Sequence, residues 1–86
     1  MKRTVLQEVI EKLQEDVRNN ICGQDLYAMV DGKLVKVRRI SERTLEALYY
    51  HPAIHVDTQK SGGSHLHVTH YYAKEIKKPV DVNRVI

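Results

Sequence analysis

Four of the five histidines in this 86-residue chain lie between Ile54 and Tyr72, in the run "IHVDTQKSGGSHLHVTHYY", together with its only Gly-Gly pair. The residues before the glycines alternate. Ile54, Val56 and Thr58 point one way, and His55, Asp57 and Gln59 the other. After the glycines, Leu66 and Val68 oppose His65, His67, Thr69 and Tyr71. Matching the apolar faces of two antiparallel strands pairs Val56 with Val68, Asp57 with His67 and Gln59 with His65, because a slip of one residue would set apolar against polar side chains throughout. His55, Asp57, His65 and His67 then share the face turned from the core, with opposed Cβ atoms about 5 Å apart.

Three imidazoles and a carboxylate on adjacent strands form a ligand set for a divalent metal such as zinc, manganese or magnesium. The same groups suit proton transfer on a phosphodiester, since imidazole titrates near neutrality. In that catalytic reading His65 or His67 is the general acid/base and Asp57 orients an imidazole. Two plainer readings compete: phosphate binding without chemistry, and a half-exposed polar face where Asp57 and His67 make a cross-strand charge pair. His70 falls on the apolar side in this register, and His51 marks a helix end.

Two family resemblances reach this stretch, each over about a quarter of the chain or less. His65-Leu66-His67, with His55-Val56-Asp57 upstream, resembles the metal motif of HUH endonucleases, which implies a divalent metal and nicking of single-stranded DNA. Gly63-Ser64-His65 after a helix and a strand resembles HicA-type RNA-cleaving toxins, which implies His65 as the catalytic position. Neither match extends far enough to assign the chain to a family.

The elements that must position this hairpin are legible in the hydrophobic pattern. Leu6, Val9, Ile10, Leu13 and Val17 recur at helical spacing, and Thr4 with Gln7 forms a capping box, so a helix is expected over residues 5–18, ending at Asn19-Asn20. Asp31-Gly32 between apolar runs marks a two-residue hairpin that pairs Val30 with Lys33, Ala28 with Val35 and Leu26 with Val37. Ser41 caps a second helix, with Ile40 and Leu45 as its staple and Leu45, Leu48 and Tyr49 as its buried stripe; Pro52 ends it. The closing "PVDVNRVI" alternates weakly and could add a strand. The expectation is a single α+β domain over 1–86, a two-layer sandwich in the order helix–hairpin–helix–hairpin with a candidate C-terminal strand.

Composition narrows the function classes. The single cysteine, Cys22, cannot form an intramolecular disulfide, and no apolar run approaches a membrane span or a signal peptide, so a cytoplasmic protein without a membrane partner is expected. The formal net charge of +3 permits an anionic partner. Lys36, Arg38, Arg39 and Lys60 are the candidate phosphate contacts. The reading is a small basic nucleic-acid-binding protein, with phosphodiester cleavage by the histidine hairpin as its enzymatic form. The alternative is a non-catalytic protein-binding module, of the kind found as phage or plasmid inhibitors, acting through a sheet edge or a homodimer interface. A chain of this length is marginal alone, which is the argument for a homodimer.

Overall fold

The computed structural model describes residues 4–61 and 65–77, with Lys60, Ser61, His65 and Leu66 as strand backbone. Seven elements follow one another: α1 (Val5–Glu15), β1 (Asn20–Cys22), β2 (Asp25–Val30), β3 (Lys33–Arg39), α2 (Glu42–Tyr49), β4 (Ile54–Ser61) and β5 (His65–Ala73). All strands join one antiparallel sheet in the order β3-β2-β1-β5-β4. The expected helix–hairpin–helix–hairpin order is therefore corrected. The first helix leads into three strands rather than two, and both hairpins belong to a single five-stranded sheet whose middle strand is β1.

The missing strand traces to Asn19. This side chain is only 2% exposed; its amide donates to the Lys12 carbonyl at 2.6 Å and its oxygen accepts from the Met29 backbone N–H at 2.8 Å. The helix stops earlier than expected, at Asp16, whose carboxylate grips the Arg18 guanidinium. Asn19 then ties the last turn of α1 to β2, and Asn20 begins a strand instead of ending a helix. β1 turns back at Gly23, whose positive φ of 65° suits a residue without Cβ. It also pairs with β5, Ile21 facing Tyr71 and Cys22 facing His70.

Local signals elsewhere act as the sequence indicates. The Thr4 hydroxyl accepts from Gln7 N–H, and the Gln7 side chain accepts from Thr4 N–H. The Ser41 hydroxyl accepts from Thr44 N–H. Asp31 and Gly32 both have positive φ, 51° and 81°, and close the β2–β3 turn with Val30 opposite Lys33 and Ala28 opposite Val35. Toward the open end a bulge at Val37 shifts the ladder, so Leu26 meets Arg38 rather than Val37.

One face of the sheet carries the core. Val9, Ile10 and Leu13 of α1 and Leu48 of α2 pack with Ile21, Leu26, Ile54 and Tyr71 of the sheet, with Ile40 between them. Tyr49, expected in the buried stripe, is instead 45% exposed. No helix is recorded against the opposite face among the described residues. None of the described helices is long and apolar enough to cross a membrane. The candidate C-terminal strand in 79–86 lies outside the described residues.

Candidate functional site

The β4–β5 hairpin has a different register from the one its apolar pattern suggests. Val56 faces Tyr71, Asp57 faces His70, Gln59 faces His67 and Ser61 faces His65. A bulge between Asp57 and Thr58 leaves Thr69 as the extra residue, and its hydroxyl donates to the Asp57 carbonyl. The bulge inverts the facing of everything beyond it. Tyr71, expected on the polar side, enters the core at 6% exposure; His70, expected on the apolar side, moves to the helix-free face with Tyr72.

That face therefore carries a square of four residues: His55 opposite Tyr72, and Asp57 opposite His70. Asp57 is its hub. Tyr72 donates its hydroxyl to Oδ2 at 2.8 Å, and His55 Nε2 lies 3.0 Å from Oδ1. The Tyr72 ring stands between two imidazoles, with centroids 6.1 Å from His55 and 5.9 Å from His70 and ring planes within 17° and 9° of parallel. The Asp57 carboxyl is held below its usual range, first by the Tyr72 hydroxyl and then by the two imidazoles, against an opposing desolvation effect smaller than that of the hydroxyl. The Tyr72 hydroxyl is pushed up, chiefly because its proton is bound to that carboxylate.

The square extends across the sheet. Reading one row of partners from edge to edge gives Arg39, Asp25, Cys22, His70 and Asp57. On the neighbouring row, Lys36 faces Tyr27 and Tyr27 faces Asn20. The Lys36 ammonium lies 3.3 Å from the Asp25 carboxylate, and the Arg39 guanidinium donates to Gln24 at 2.6 Å.

Of the expected metal and catalytic residues, His55 and Asp57 are in contact. The ladder sets His67 opposite Gln59 and His65 opposite Ser61, two and four residues along β4 from Asp57, about 7 and 13 Å. No group of three His, Cys, Asp or Glu side chains able to hold a metal ion occurs among the described residues. The expected phosphate contacts do not form one patch either. Lys36 and Arg39 share the helix-free face of β3, and the bulge turns Arg38 toward Leu26, Glu8 and Lys12. Lys60 belongs to β4, the other sheet edge, about 19 Å away across four inter-strand spacings.

His70 and Tyr72 are the site residues that alternation alone misses. A signal for them exists: Val68 and Tyr71 are spaced by three, an odd interval between two core residues, which a strand permits only with a bulge between them.

Comparison with known protein families, with curated proteins and with solved structures found no match to this chain.

Proposed function

We propose that the helix-free face of the sheet binds single-stranded nucleic acid. One observation carries the reading: the near-parallel row of His55, Tyr72 and His70 rings stands on the same face as Tyr27, Lys36 and Arg39. Single strands are held by this combination, bases stacking on aromatic faces while cations neutralise the phosphates. The chain's net charge of +3 favours the same class of partner. Asp57 lies among the rings, so the phosphates would run toward Lys36 and Arg39, where they would compete with Asp25 for Lys36, and the bases toward the rings.

A phosphodiester cleavage on this surface would draw its proton-moving group from His55, whose imidazole Asp57 orients at 3.0 Å. In that case His55→Ala should abolish cleavage of an RNA oligonucleotide and retain most of its binding.

The test is fluorescence anisotropy with labelled single-stranded DNA and RNA and a duplex control, at two salt concentrations. Tyr72→Ala should weaken single-strand binding about 5- to 100-fold, the worth of one stacked base. Absence of binding at low salt, or unchanged affinity in both Tyr72→Ala and Tyr27→Ala, would contradict the reading and favour the protein-binding alternative.

A further inference from the structure

On the opposite side of the sheet, α2 and β5 enclose an open depression of about 370 Å³ lined by Glu42, Leu45, Glu46, Tyr49, Tyr50 and Tyr71. Positions 42, 45, 46 and 49 fall on one helical stripe, so two carboxylates lie along the same rim. The rings of Tyr49 and Tyr50 meet nearly at right angles, 74° between planes and 5.0 Å between centroids, and so form two perpendicular walls. Tyr71 closes the floor. It is more than nine-tenths buried and lines the depression.

Each of these features favours the same kind of guest. Aromatic faces attract a cation within about 6 Å of a ring centroid. Glu42 and Glu46 make no ion pair or hydrogen bond among the described residues, although the chain as a whole is basic. The depression is too open to enclose a small molecule as ligand cavities do, and its Tyr50 wall is 78% exposed. A side chain presented by another macromolecule fits that shape.

We infer that this depression receives the guanidinium or ammonium head of an arginine or lysine side chain on a protein partner, held between the Tyr49 and Tyr50 rings and the Glu42 and Glu46 carboxylates. The site is independent of the nucleic-acid face, because consecutive β5 residues Tyr71 and Tyr72 point to opposite sides of the sheet.

The experiment is an NMR titration of the full chain at constant ionic strength with three probes: N-acetyl-arginine methylamide, its neutral citrulline counterpart, and spermidine. The arginine probe should move the Tyr49, Tyr50 and Tyr71 ring signals saturably, and the citrulline probe should not. Tyr50→Ala should weaken the response about threefold or more, and Glu42→Gln with Glu46→Gln about tenfold. All three positions are exposed, so the thermal midpoint should hold and report that folding is intact. Equal shifts from the citrulline probe, or an unchanged response in the Glu42→Gln, Glu46→Gln variant, would overturn the site. Spermidine binding more than tenfold tighter than the arginine probe would overturn the side-chain assignment in favour of a free polyamine.

Discussion

The hydroxyl of Tyr72 on β5 donates a 2.8 Å hydrogen bond to Oδ2 of Asp57 on β4, two residues that are diagonal rather than directly opposed in the ladder. The bond sets the protonation of both partners. The Asp57 carboxyl is depressed and the Tyr72 hydroxyl is raised, each mainly by the other. A depressed carboxyl contributes stability above its unfolded value near 3.9, lost as pH falls through the folded value. A raised phenol contributes stability below its unfolded value near 10, lost as pH rises through the folded value. Tyr72→Phe should therefore return the Asp57 titration, followed by carboxyl carbon NMR, toward the ordinary aspartate range. An unshifted titration would show that the bond does not control the carboxyl.

Asn19 makes a second prediction, on stability alone. Removing its amide leaves the Lys12 carbonyl and the Met29 N–H without their partner in a buried setting. Asn19→Ala should cost roughly 1–3 kcal/mol in denaturant unfolding. Asn20→Ala, whose amide reaches only the exposed Arg18 carbonyl, should stay within about 0.5 kcal/mol.

The turn at Asp31-Gly32 can be tested by exchanging its backbone freedom. Gly32 has φ of 81° and open space where a Cβ would stand, so Gly32→Ala strains the backbone without a steric clash. The expected cost in denaturant unfolding is about 1–2 kcal/mol, whereas Asp31→Gly should be tolerated. Equal effects would mean that the turn does not set the β2–β3 register.

Lys36 and Arg39 give the electrostatic prediction. If phosphates run along their side of the sheet, Lys36→Ala or Arg39→Ala should weaken oligonucleotide binding about equally for all sequences. Each should also reduce the slope of log affinity against log salt by about 1. Arg38→Ala, on the other face, should leave that slope unchanged.

The parts legible in the sequence are those set by short-range chemistry. The Thr4–Gln7 box, the Asp31-Gly32 turn and the Ser41 cap each depend on residues within three positions of one another. The parts that were not legible depend on long-range pairing. Three-residue β1 is too short to show alternation, and only the contact of Asn19 with Met29, ten residues on, separates it from a helix exit. Pattern matching assigns the facing correctly around Val68 but sets the register two residues off, and past Thr69 the facing fails too. The bulge there sets His70 opposite Asp57 and Tyr72 on the same face, while the shifted register sets His67 opposite Gln59. The sequence thus shows a histidine-rich face bearing His55 and Asp57, but not that His70 and Tyr72 adjoin Asp57 on it.

The most direct test of a nucleic-acid-binding sheet face is a chemical-shift map of the labelled chain during addition of a short single-stranded oligonucleotide. Such a face predicts saturable shifts at His55, Asp57, His70, Tyr72 and Tyr27, smaller ones at Lys36 and Arg39, and silence along α1 and α2. Shifts concentrated on the helices, or none at oligonucleotide concentrations well above the protein's, would contradict it.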